Sequence, residues 1–316
     1  MESNWDQLIE AALRRELRAL SRLISCVENR VPGWRRAMSD LMPHTGKARI
    51  IGITGPPGSG KSTLTGQLAA CFDDRGWDVA IVAVDPSSMR SGGALLGDRL
   101  RMREFSRDSI FVRSLASRGT LGGLSQATRD VVRILDAFGK TLVLVETVGA
   151  GQGEVDVADV ADVVAVLCIP GQGDQIQALK AGTMEIGDVF VINKADLDGA
   201  DRVAGDVVQA LHLRRGSSGL NPVVMRTTAS HGKGVEELTD VLIDRLCARK
   251  PHLAAQRLDR FEKEIMGLAA EELQQLIRKH PAYIRLRERC AAGMVTLLDP
   301  YELYDALFSN RSLSET

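Results

Sequence analysis

Gly55-Pro56-Pro57-Gly58-Ser59-Gly60-Lys61-Ser62 lies between the apolar stretch Ala48–Thr54 and the segment Thr63–Asp74. A glycine-rich loop therefore stands where a strand should turn into a helix, which implies a nucleoside triphosphate site. Glycines let the backbone curl until successive N–H groups point inward, and the following helix adds its positive N-terminal dipole end. Gly55, Pro56, Pro57, Gly58, Ser59, Gly60, Lys61, Ser62 and Thr63 are the candidate phosphate contacts. Lys61 is expected to reach the β- and γ-phosphates, and the Ser62 hydroxyl to ligate Mg²⁺.

Outward from that loop, strand-like runs alternate with amphipathic segments: Ile50–Thr54, Val79–Val84, Ile110–Val112, Thr141–Val145, Val163–Ile169, Val189–Ile192 and Val223–Met225. This alternation predicts an α/β phosphate-loop NTPase core, a mostly parallel sheet with helices on both faces. Leu8, Leu13, Leu17, Leu20 and Ile24 predict an amphipathic helix over residues 4–29, broken at Val31-Pro32-Gly33. From Arg249 the strand signal stops, and Leu258, Phe261, Ile265, Leu268, Leu273 and Leu276 form one helical stripe. That stripe is either a cap on the core or an arm on a second subunit. The expected organisation is an N-terminal helical extension (1–46), a phosphate-loop domain (47–250) and a C-terminal helical arm (251–316), with homodimerisation assigned to the arm.

A net charge of −1 on 316 residues gives no bulk electrostatic reason to bind nucleic acid or an anionic membrane. Cys26, Cys71, Cys168, Cys247 and Cys290 are scattered without a CxxC pair, which suits a reducing compartment. The first residues show no signal pattern and no apolar run has membrane-spanning length, so the expectation is a cytoplasmic protein without nucleic-acid or membrane partners.

Leu142–Val145 runs into Glu146, three residues before Gly149. In phosphate-loop enzymes an acid there holds the Mg²⁺ shell and a glycine N–H meets the γ-phosphate. Asp85 ends another apolar run and Asp98 precedes Arg99–Phe105; both are candidates for Mg²⁺ or its waters, and Asp98 is equally a candidate helix cap. Base choice is written in Asn193-Lys194-Ala195-Asp196 after the run Val189–Ile192. A carboxylate at Asp196 can accept both N–H groups of the guanine Watson–Crick edge while the Lys194 stem covers the base face, and adenine offers no such donor pair. Thr228 and Ala229, within Thr227–Ser230, are either backbone contacts to guanine or a plain loop. Ala150 stands where Ras-like GTPases place a water-orienting Gln, so unassisted hydrolysis is expected to be slow and open to partner control.

Taken together these segments resemble the MeaB/ArgK family of GTPases, which includes the methylmalonic aciduria type A protein. The resemblance rests on Gly52–Ser62, Val84–Ser88, Gly92-Gly93, Leu96–Met102, Gly119–Gly123, Val145–Gly149, Gly173-Asp174 to Gly182, and Asn193–Asp196. It implies a GTP- and Mg²⁺-using chaperone of an adenosylcobalamin-dependent acyl-CoA mutase, gating cofactor loading from an adenosyltransferase. By that likeness Asp85, Asp98 and Glu146 form the metal shell. Asp174–Gly182 is an added switch, with Asp174, Gln177 and Lys180 as its coupling residues; Lys180 is equally a solvated helical lysine. Ala181 and Gly153 depart from the usual Lys and Ser of relatives. An alternative from another class is a metallochaperone GTPase, which needs clustered His or Cys donors. The five histidines are dispersed and give no such cluster. A non-catalytic nucleotide-binding scaffold is disfavoured by the intact set Lys61, Ser62, Asp85 and Glu146.

Overall fold

Strands covered on both faces have no solvent side to mark with polar residues, so their sequences read as unbroken branched aliphatics. In the computed structural model, which describes residues 4–85, 107–116, 126–147, 153–171, 182–213, 221–248, 253–292, 301 and 304, seven strands build one sheet. They are β1 (Arg49–Thr54), β2 (Val79–Asp85), β3 (Phe111–Ala116), β4 (Leu142–Glu146), β5 (Val163–Cys168), β6 (Val189–Ile192) and β7 (Val223–Arg226). Of these, β4, β5 and β6 are buried throughout. All pair in parallel, in the order β3-β2-β4-β1-β5-β6-β7. Every predicted strand is present. β3 extends beyond the apolar run that announces it, because Arg113 and Ser114 continue the pairing with β2.

β1 sits between β4 and β5, where the direction of strand addition reverses; in such sheets the ligand crevice opens at the C-terminal ends of these strands. Register keeps those ends level. Ile53 pairs with Glu146, Thr54 with Val166, and Ile192 with both Cys168 and Arg226.

Alternation sorts the side chains into two apolar layers. Ile51, Ile53, Leu142 and Leu144 pack with Leu64, Leu68 and Phe72 of α4 (Lys61–Asp74) and with Leu238 and Leu242 of Val235–Ala248. Val143 and Val145 face the other way, toward Val131 and Leu135 of Gln126–Phe138 and toward the N-terminal helices. Burying each such side chain contributes about 1.5–3 kcal/mol.

The N-terminal stripe forms two helices rather than one, α1 (Trp5–Leu13) and α2 (Leu17–Glu28), followed by α3 (Trp34–Leu41). Arg15 takes a left-handed φ of 65°, and its guanidinium reaches Asp78 and the Gly139 carbonyl at the sheet's N-terminal edge. That tether turns the chain inside a continuous apolar pattern, and it leaves Leu17 56% exposed while Leu20, Leu23 and Ile24 are buried. At the same edge carboxylates serve the backbone: Asp136 accepts from the N–H groups of Lys47 and Ala48, Asp162 from Ile50, and Asp188 from Val164.

The chain divides into two compact units, Met1–Leu253 and Ala254–Thr316. The second holds all but the first residue of the long helix Leu253–Lys279, ended at His280-Pro281, and the helix Pro281–Ala291. Leu258, Phe261, Ile265, Leu273 and Leu276 of the predicted stripe are exposed along the long helix. Among the described residues no helix is long and apolar enough to cross a membrane.

Candidate nucleotide site

The loop between β1 and α4 is wound by Gly55, Gly58 and Gly60 at φ values of 141°, 73° and 85°, conformations that side chains rarely adopt. A Cβ on Gly55 would lie 2.6 Å from the Leu167 carbonyl oxygen, so the loop also hugs β5 too closely for any side chain. Gly60 caps α4, and Lys61 and Ser62 open it, which aims the helix N-terminus into the crevice.

Lys61 is buried, and its ammonium donates to the carbonyls of Gly55 (2.7 Å) and Pro56 (2.8 Å), closing the loop on itself. Ser62 Oγ donates to Glu146 Oε1 across 2.5 Å. A hydroxyl and a buried carboxylate thus meet at the helix N-terminus, an oxygen pair suited to a hard divalent cation. Ser59 Oγ is buried and has no hydrogen-bond partner among the described residues. An orphaned hydroxyl, inward-curling backbone and an adjacent oxygen pair together fit a phosphate chain with Mg²⁺.

Asn193 leaves the end of β6 and engages both sides of its amide. Nδ2 donates to the Ser59 carbonyl (2.8 Å), while Oδ1 accepts from Thr227 Oγ1 (3.0 Å) and the Ala229 N–H (3.1 Å). It therefore fastens the phosphate loop to the Thr228–Ala229 turn. Lys194 stands at φ 55°, a left-handed position that costs a non-glycine residue about 1–2 kcal/mol. Asp196 is exposed at the mouth of the crevice side of β6. The turn after β7 is closed by Thr228 N–H donating to Lys233 O, with Gly232 and Gly234 at positive φ on either side.

Glu146 ends β4, and Lys61, Ser62, Asn193, Lys194, Asp196, Thr228 and Ala229 follow strand ends on this one edge. Asp85 closes β2 there, in register with Ala116. Asp98, Gly149, Asp174, Gln177 and Lys180 lie outside the described residues, as does Ala150. Sequence reading passes over Thr54 and Thr147, whose hydroxyls meet at 2.9 Å beneath the loop. Their only sequence signal is a hydroxyl residue at the end of each of two adjacent apolar strands. Cys168, at the end of β5, is buried, and burial pushes its thiol up to about 12, which disfavours the thiolate.

A family model described as methylmalonyl-CoA mutase-associated GTPase MeaB matches residues 20–282. The chain belongs to the MeaB family. It is accordingly a phosphate-loop GTPase. A Pyrococcus horikoshii relative carrying a GTPase name is 45% identical over 310 residues, 95% of this chain and 96% of its own. GTPase ArgK of Escherichia coli is 37% identical, covering 77% of this chain and 76% of its own. The crystal structure of an LAO/AO transport system kinase superposes with a TM-score of 0.73 at 26% identity, covering 97% of both chains. MeaB membership bears out the expected resemblance, and the shared fold bears out the expected parallel α/β core.

Proposed function

We propose that this MeaB-family chain is a GTP-hydrolysing chaperone that gates adenosylcobalamin loading, protection and reactivation of a methylmalonyl-CoA mutase-class enzyme. The observation that carries the reading is the match over residues 20–282 to a family described as mutase-associated, on a chain whose GTP-site residues are intact. Methylmalonic aciduria type A homolog of mouse, 37% identical over 239 residues, supports it.

In this reading the Gly55–Thr63 loop N–H groups and Lys61 cradle the β- and γ-phosphates, Lys61 exchanging carbonyl for phosphate oxygen. Ser62, Glu146, Asp85 and Asp98 hold Mg²⁺, which when bound neutralises charge on the transferred phosphoryl oxygens. Gly149 senses the γ-phosphate. Asp196 accepts from guanine, Lys194 covers the base, and Thr228 and Ala229 line its far edge. Asn193 keeps base pocket and phosphate loop in register. Asp174, Gln177 and Lys180 carry the nucleotide state to the mutase, and the long C-terminal helix joins two copies. A cobalamin adenosyltransferase supplies the cofactor, and the setting is cytoplasmic.

Gel filtration of the purified chain with methylmalonyl-CoA mutase, in GDP and in a non-hydrolysable GTP analogue, tests this. Co-elution that depends on the nucleotide is expected; no association in either state contradicts it. The metallochaperone alternative needs grouped donors, and no group of three or more His, Cys, Asp or Glu is poised for a metal among the described residues.

A further inference from the structure

β1 and β4 leave the sheet side by side, and their ends are tied on both faces. On the α4 face, Ser62 Oγ holds Glu146 Oε1 at 2.5 Å. On the opposite face, Thr147 Oγ1 donates to Thr54 Oγ1 at 2.9 Å. Parity puts them there. Ile51, Ile53, Leu142 and Leu144 pack in the layer that contains α4, so Thr54 and Thr147 fall on the other side, with Val143 and Val145. The Thr147 N–H still donates to the Ile53 carbonyl (3.0 Å), so the pairing of β4 with β1 carries on to Thr147.

Both threonines are buried, Thr54 at 0% and Thr147 at 3% exposure. Two valines would occupy nearly the same volume without burying two hydroxyls, so packing alone gives no reason for the pair. What the hydroxyl bond adds is direction. It pins the residue after Glu146 to the residue before Gly55, and so fixes how far the Glu146 carboxylate stands from Ser62 on the other face.

We infer that Thr147, acting through Thr54, is a positioning residue for the divalent-cation site of the GTPase reaction. The inference rests on the proposed assignment of Ser62 and Glu146 to Mg²⁺. Neither threonine reaches that cation; the bridge sets the geometry of the groups that do.

The test is a Mg²⁺ titration of the mant-GDP complex of the full chain, read by fluorescence, alongside thermal unfolding. Thr147→Val keeps volume and loses the hydroxyl, so its Mg²⁺ midpoint rises about fivefold, the effect of one neutral hydrogen bond, and it melts lower because the Thr54 hydroxyl is left buried without that partner. Thr147→Ser keeps the hydroxyl and loses a methyl, so it melts lower yet keeps the wild-type Mg²⁺ midpoint. Thr54→Val removes the same bridge but leaves Thr147 Oγ1 its longer contact with the Ile53 carbonyl (3.5 Å), so its midpoint rises toward that of Thr147→Val, and the double valine variant is no worse than Thr147→Val. A wild-type midpoint in both valine variants, with a raised midpoint in Glu146→Gln, overturns the positioning role alone. An unchanged midpoint in Glu146→Gln overturns the metal assignment, and this inference with it.

Discussion

Asn193 Nδ2 donates to the Ser59 carbonyl across 2.8 Å, so the loop that would read the base and the loop that would hold the phosphates share a buried hydrogen bond. The same side chain accepts from Thr227 and Ala229, which extends the tie to the end of β7. Three strand ends are thereby held by a residue that sequence reading assigns to the ligand.

Asn193→Ala strands the Ser59 carbonyl and the Ala229 N–H in the interior. Stability is expected to fall by about 2–3 kcal/mol, the cost of unsatisfied buried groups. Urea unfolding and GDP titration read the two effects together. Unchanged stability and unchanged GDP affinity would show that the amide is not the fastener.

Gly60 and Gly58 separate strain from collision. Both stand at positive φ, but a Cβ on Gly60 would meet Asn193 Nδ2 at 2.5 Å, whereas nothing lies within 4 Å of one on Gly58. Gly58→Ala is expected to lose about 1–2 kcal/mol, the backbone term alone. Gly60→Ala should lose more and weaken GDP binding, since Asn193 is held by three hydrogen bonds and cannot swing away freely. Equal losses in the two variants would contradict this.

Asp196→Asn exchanges an acceptor-only group for one that also donates. GTP affinity should fall by about 2–3 kcal/mol, the value of a hydrogen bond to a charged group, and xanthosine triphosphate should become the better ligand. Competition titrations with the two nucleotides decide it, and retained preference for GTP would remove Asp196 from base recognition.

Leu258, Phe261 and Ile265 are 59%, 57% and 48% exposed on the helix Leu253–Lys279. A stripe of that kind calls for an apolar partner, and the partner proposed for it is a second copy. Light scattering should find a dimer for the full chain and a monomer when it ends at Lys250. A dimer that survives the truncation assigns the contact elsewhere.

Much of the fold is legible in the sequence because parallel strands buried on both faces, such as β4, β5 and β6, leave unbroken aliphatic runs, and the partly exposed β7 still shows as Val223–Met225. The break at Arg15 was not legible, because it depends on a long-range tether to Asp78 and Gly139 that no local pattern records. At the site, the glycine loop, Ser62, Glu146 and Asn193-Lys194-Ala195-Asp196 were legible as types at fixed spacing. The partners were not: that Asn193 grips Ser59, or that Thr147 meets Thr54, depends on which strands are neighbours. Sequence order hides this, since β1 and β4 are adjacent in the sheet although two strands separate them in the chain.

The most direct test of the account is GTP turnover by the full chain with and without methylmalonyl-CoA mutase. With Ala150 in place of a water-orienting glutamine, turnover of the chain alone should be slow, on the order of 10⁻⁴ to 10⁻² per second. Added mutase should raise it at least tenfold, a coupling of about 1.4 kcal/mol or more, within the usual range for linked sites. Fast turnover without a partner, or a rate that saturating mutase leaves unchanged, would contradict a GTPase whose output is the state of that enzyme.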